Sequence, residues 1–343
     1  MNCVTATLAP LALDRQAEGK LHQACKNGNL SAARLILCQR RVDVNCKQSG
    51  WTPLMRAAEN GHLELMKFLV SRGANVSLAN TLGDNTLHLA CENGPLKVVQ
   101  YILSLDVVDI NSRGWKKRTP VMLAGFTGRV SIVDVLVRKG GDLTLVDEDS
   151  NSILHLACEG GQGIMALFVL SLGLVDINSR GQGLKTPVMV AAEAGYSELV
   201  ETLVRKEANA SLVDIGGNNL LHLACAKGNI EVVRFVLSQA LIDINSRGHN
   251  GKTPLMLAVE EGHRALVELL VNEGAHALLV DTGGNNVLHL ACENGYVEVA
   301  QYILSHNLVN IDVKNLKGQT AVVIAHEKKI TGLFDHLYLS GGD

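Results

Sequence analysis

The chain has 343 residues, of which 47% are hydrophobic but only 3% aromatic, and its formal net charge is −3. Such a balance speaks against a general nucleic-acid binder, which carries a basic excess on one face. No apolar run reaches the ~18–20 residues that span a bilayer, so membrane insertion is not expected, and the core must be built from Leu, Val, Ile and Ala.

The first 17 residues read as an N-terminal tail. They have no basic residue ahead of their apolar part, which argues against a signal peptide. From residue 18 to 343 one register repeats. It starts in "GKLHQACKNG" with His22 and continues through Met55, His88, Met122, His155, Met189, His222, Met256, His289 and Val323, at steps of 33 or 34 residues. This predicts about ten units, the first and the last ("TAVVIAHEKKITGLFDHLYL") serving as caps.

Within a unit such as "TPLMRAAENGHLELMKFLVSRGA" at 52–74, the pattern predicts a short Ala-rich helix, a turn and a longer amphipathic helix with Leu65, Phe68 and Leu69 at helical spacing. Thr-Pro at 52–53, 119–120, 186–187 and 253–254 supplies an N-cap and a first-turn Pro. The alternate units begin with Asn85, Ser152, Asn219 and Asn286, which are also good caps. Gly28, Gly61, Gly94, Gly128, Gly161, Gly195, Gly228, Gly262 and Gly295 recur as helix stops, where a positive φ costs glycine little. Two unit types therefore alternate, and the full period is 67 residues, as in His88, His155, His222 and His289.

"GWTPLMRAAENGHLELMKFLVSRGANV" at 50–76 and its copies resemble ankyrin repeats along nearly the whole chain. The resemblance implies an all-α repeat solenoid of helix–turn–helix units with β-hairpin-like loops, arranged as a curved array. It also implies a non-catalytic protein-interaction scaffold or adaptor that needs no cofactor and acts as a monomer. A second reading is the ankyrin portion of a larger signalling, channel or ubiquitin-ligase-adaptor protein. No unit has the full family signature: Thr-Pro units carry Met in place of His, and the central His units lack Pro.

"LHLAC" places His and Cys three residues apart on one helix. Two ligands are too few for zinc, and equivalent pairs recur too far apart to share an ion. The Cys91, Cys158, Cys225 and Cys292 slot alternates with Ala58, Gly125, Ala192 and Val259, so it is a place for a small apolar residue. The family uses the His to bond a neighbouring loop's backbone. Eight cysteines, four of them at one interval, suit a reducing compartment, cytoplasmic or nuclear. The column Tyr101, Phe168, Phe235 and Tyr302 reads as core packing.

Partner-binding residues are expected on the loops between units. Lys47, Arg113, Arg180, Arg247 and Lys314 form one basic column, and Arg118, Lys185 and Lys252 a second, with Lys116 and His249 on the same loops. Asp147, Asp214 and Asp281 form an acidic column on the alternate loops. Alternating rungs would suit an extended peptide or helix of mixed charge. Trp51 and Trp115, the only tryptophans, lie on loops and have the chemistry of interface anchors. Asn45, Asn111, Asn178 and Asn245 each follow a Leu by eight residues and resemble ankyrin-type targets of asparaginyl hydroxylation; turn shaping is the competing role.

Overall fold

The computed structural model describes residues 15–39 and 42–330. It divides into two compact units, one ending at Leu156 and one starting at Ala157. The first contains α1 (Arg15–Lys26), α2 (Leu30–Gln39), α3 (Pro53–Glu59), α4 (Leu63–Ser71), α5 (Thr86–Glu92), α6 (Leu96–Ser104), α7 (Pro120–Phe126) and α8 (Val130–Arg138). α9 (Ile153–Glu159) carries the boundary. The second contains α10 (Gly163–Ser171), α11 (Pro187–Ala194), α12 (Ser197–Arg205), α13 (Leu220–Ala226), α14 (Ile230–Ser238), α15 (Pro254–Glu260), α16 (Arg264–Asn272), α17 (Val287–Asn294), α18 (Val297–Ser305) and α19 (Ala321–Glu327). The expected helix pairs are present, and α1 starts at Arg15, inside the stretch read as a tail. The second helix expected in the last cap lies outside the described residues, as does Cys3.

From α3 onward the first helix of a pair is only about two turns long, too short to be stable alone, so burial holds it. In α5, Thr86, Leu87, His88, Leu89, Ala90 and Cys91 are all buried. The second helix buries one stripe, for example Leu199, Val200 and Leu203 in α12. First helices stack on first helices, α1 on α3 on α5 on α7 in one unit and α11 through α19 in the other. Second helices stack alongside them, as α2 on α4 and α12 on α14. The aromatic column is part of this packing: Tyr302 is buried, and Tyr101, Phe168 and Phe235 are half-buried.

Eight of the nine stop glycines have φ between 68° and 84°. They also form a floor for the following unit, because a methyl at Gly28 would lie 2.5 Å from the His62 ring and one at Gly228 2.8 Å from His263. Gly94 departs from the expectation. It precedes Pro95 and is not left-handed. What requires glycine there is space, since a methyl would sit 2.8 Å from the Ala58 carbonyl and 2.9 Å from that of Ala90.

Among the described residues no helix is long and apolar enough to cross a membrane.

Candidate interaction surface

His88, His222 and His289 are held at both ring nitrogens, whereas in the first repeat only His22 Nε2 is held, by the Cys46 carbonyl at 3.2 Å. The Asn85 N–H donates to His88 Nδ1 at 3.2 Å, which leaves Nε2–H to donate to the carbonyls of Ser112 (3.1 Å) and Arg118 (3.2 Å) on the following loop. His222 repeats this with Asn219 N–H (3.3 Å) and the Lys252 carbonyl (3.2 Å), and His289 with Asn286 N–H and the Gln319 carbonyl. Burial pushes the pKa of His22, His88, His222 and His289 down, so the neutral ring is favoured. In the alternate units methionine reproduces half of this contact. The Thr52 N–H points at Met55 Sδ at 3.4 Å, and Thr253 N–H at Met256 Sδ at 3.5 Å. A thioether accepts weakly but cannot donate onward, so another group must hold the next loop.

That group is the basic column. Lys47 Nζ donates to the Ala79 carbonyl at 2.8 Å. Arg113 donates to the carbonyls of Lys117 (2.8 Å) and Val146 (2.5 Å). Arg180 donates to Leu184 and Val213 (both 2.6 Å), and Arg247 to Gly251 (2.9 Å) and Val280 (2.7 Å). Loops are thus braced alternately by an imidazole from the preceding helix and a cation from the preceding loop. These side chains are exposed, but the Lys47 Nζ and an Nη1 of each arginine are engaged within the fold.

The second basic column is engaged as well. Lys185 pairs with Glu193 and Lys252 with Glu260, both at 2.6 Å. Arg118 pairs with Asp147 at 3.2 Å, with side chains 8% and 0% exposed, so neither presents its charge to a partner. Arg118 also lies against the rings of Trp115 (5.7 Å) and Phe126 (5.8 Å).

The acidic column differs from the expected outward rungs. Asp147, Asp214 and Asp281 turn into their own loops. Asp214 Oδ1 accepts from the N–H groups of Gly216 (2.8 Å) and Asn218 (2.9 Å), Asp281 from Gly283 and Asn285, and Asp147 from Asp149 and Asn151. Asn80 and Asn315 make the same two contacts in their loops. The loop therefore needs an acceptor at this position, which a neutral Asn supplies as well as Asp. At the 112–119 and 145–152 loops the opposite rungs are spent on each other, with Lys116 on Asp149 at 3.2 Å in addition to the buried pair.

The four asparagines act as clasps between units. Asn111 Nδ2 donates to the Gly140 carbonyl (3.1 Å) while Oδ1 accepts from Asp142 N–H (2.9 Å). Asn45 does the same with Gly73 and Asn75, and Asn178 and Asn245 accept from Asn209 and His276, each at 2.8 Å.

Trp51 is half-buried under Arg56, which lies 4.0 Å from the ring centroid. Trp115 is 46% exposed. It opens a loop tip whose two central residues, Lys116 and Lys117, have φ of 53° and 55°. The equivalent pairs are Gly183–Leu184 and Asn250–Gly251, also left-handed and with glycine in each. Such tight turns favour Asn and Gly, so two lysines here are under strain. His249 is exposed on the third tip.

Two features lie outside the expected set. Leu184, Ile215 and Leu316 at the loop tips are 50%, 78% and 80% exposed. A carboxylate column, Glu59, Glu92, Glu159, Glu193, Glu260, Glu293 and Glu327, runs along the first helices. Its place four residues after each His, Met or Val was legible in the register. Burial, then Asp84 and Glu59, push the Glu92 pKa up. Among the described residues no group of three or more His, Cys, Asp or Glu could hold a metal ion.

Stacked two-helix units with a braced loop between them define a helical repeat protein. The family model for ankyrin repeats matches residues 21–114, 162–248, 188–281 and 236–315, and the chain belongs to the ankyrin repeat family. It is 26% identical over 322 residues to the human transient receptor potential cation channel subfamily A member 1, covering 80% of this chain and 29% of the channel. It is 32% identical over 200 residues to palmitoyltransferase AKR1 of Lachancea kluyveri, covering 57% and 27%. It is 31% identical over 209 residues to the chicken nuclear factor NF-kappa-B p105 subunit, covering 56% and 20%. The chain thus spans less than a third of each of these relatives.

Proposed function

We propose that this chain is a non-catalytic adaptor that acts as a cytoplasmic monomer and binds an extended peptide or helix of mixed charge along its loop edge. The observation that carries the reading is the tip at 115–117. An aromatic residue 46% exposed stands beside two lysines in left-handed conformations that a Gly or Asn would adopt more easily. Strain retained at an exposed position is a functional signature, and Trp with cationic neighbours has the composition of an interface anchor. Arg113 stands beside this tip in the first compact unit, and Arg180, Arg247 and His249 are exposed on loops of the second, the arginines offering charge while an Nη1 of each braces a loop. Affinity purification of the intact chain, compared with Trp115→Ala and with the Lys116→Asn/Lys117→Gly pair, tests this. Loss of the same partner in both is expected; retention in both overturns the tip as the anchor.

A second reading is the ankyrin portion of a larger protein, favoured by the small share of each relative that this chain spans. An immunoblot of source cells would then give a band well above 36.7 kDa, and a band at that mass would exclude it. Hydroxylation of Asn45, Asn111, Asn178 or Asn245 is part of the proposal. It would add an oxygen beside an amide that already clasps two units. Intact-mass analysis after co-expression with an asparaginyl hydroxylase should show one-oxygen increments, and an unshifted mass would refute it.

A further inference from the structure

α10 departs from the pattern of the second helices around it. At the second and fifth positions of those helices stand Glu198 and Glu201 in α12 and Glu231 and Arg234 in α14, and only Ala, Glu or Gln in α16 and α18. In α10 the same positions are Ile164 and Leu167, 79% and 39% exposed. A slipped register is not the reason. The core stripe of α10 is filled by Met165, Ala166 and Val169, the counterparts of Leu199, Val200 and Leu203. Ile164 and Leu167 lie outside that core stripe, and Leu174, just beyond the helix, is also 53% exposed. Contiguous apolar surface of this kind marks interaction sites.

The charge around the patch indicates what covers it. α12 packs beside α10, at a helix spacing of about 10 Å, and Glu198 holds the position in α12 that Ile164 holds in α10. Glu231 continues the row on α14, and both glutamates are exposed. We propose that α10 docks an amphipathic helix of a partner protein, with its apolar face on Ile164 and Leu167 and with Lys or Arg side chains toward Glu198 and Glu231. Helix-on-helix docking of this sort needs anchors one turn apart, which positions 164 and 167 supply. The acidic row disfavours an anionic bilayer as the cover.

The test uses the full chain and a labelled synthetic Leu/Lys amphipathic helix of about 18 residues, long enough to fold on contact. Fluorescence anisotropy should show binding that Ile164→Glu/Leu167→Glu weakens at least about tenfold. Ile164→Ser/Leu167→Ser, with circular dichroism to confirm the fold, gives the same comparison should the Glu pair not fold. Glu198→Lys/Glu231→Lys should weaken binding and flatten its dependence on salt. Trp115→Ala should leave it unchanged, which separates this surface from the loop-edge reading. Equal affinity of the native chain and the 164/167 variants overturns the proposal. So does preference for a Leu/Glu helix or for phosphatidylserine vesicles, or a dimer in sedimentation that Ile164→Ser/Leu167→Ser dissolves.

Discussion

Replacing His222 by Met or by Ala separates the two jobs of the repeated histidine. The ring is fully buried. Its Nδ1 accepts from Asn219 N–H and its Nε2–H donates to the Lys252 carbonyl at 3.2 Å. Methionine keeps an acceptor where alternate units already use one, and it fills most of the volume. What it loses is the onward bond, worth about 1 kcal/mol. The Lys252 carbonyl still accepts from Gly248 N–H at 2.8 Å, so it is not left unsatisfied. Alanine loses both contacts and leaves a void, at a cost of about 3 kcal/mol. Urea unfolding followed by circular dichroism at pH 7.5 should rank the native chain, His222→Met and His222→Ala in that order.

The pH dependence adds a second check. Burial lowers the folded pKa of His222 below the ordinary imidazole value of about 6.5, so its contribution is complete above that value. As pH falls below it, the unfolded chain binds the proton first and the contribution is lost, at most about 1.4 kcal/mol per pH unit until the folded pKa is reached. Methionine does not titrate. The deficit of His222→Met should therefore shrink at pH 5 relative to pH 7.5. Equal stabilities of the Met and Ala variants, or a deficit unchanged between the two pH values, would refute the brace.

Three further outcomes follow. Asp147→Ala should cost about 3–5 kcal/mol, because it removes both the carboxylate beside a buried guanidinium and the acceptor of the Asp149 and Asn151 N–H groups; calorimetric midpoints would show it. Gly94→Ala should destabilise more than Gly73→Ala: the first methyl meets carbonyls at 2.8 and 2.9 Å, while the second meets nothing within 4 Å and costs only about 1 kcal/mol for its left-handed φ. In a Cys3→Ser background a maleimide should label Cys38, which is exposed, well before the others; burial pushes the Cys25, Cys46 and Cys292 thiols up to about 12, and those of Cys91, Cys158 and Cys225 up as well.

Much of the fold was legible because each unit repeats its local instructions. Thr-Pro and Asn caps, Ala-rich first helices and a glycine at a fixed interval appear in nearly every copy, so chance cannot imitate them. Gly94 was misread because its neighbour Pro95 restricts the backbone, an effect the interval alone hides. The loop charges were legible as columns but not as free or spent. Arg180 and Val213 are 33 residues apart and meet at 2.6 Å, and the acceptor is a backbone carbonyl, which leaves no mark in the side-chain sequence. Asp214 has the same difficulty, since its partners are its own loop's N–H groups.

By itself the amino-acid order determined the register, the alternation of two unit types and the family. These depend on spacing along the chain and on propensities of single residues. Only the tertiary structure decided which polar groups remain available to a partner. That depends on distances across units, where a cation 33 residues away, or an acid eight residues on, can consume the charge first. It took the Arg118–Asp147 pair out of the loop edge and turned Asp214 inward. It left Trp115 at a strained tip and exposed Ile164 and Leu167 on a helix whose core face was already full.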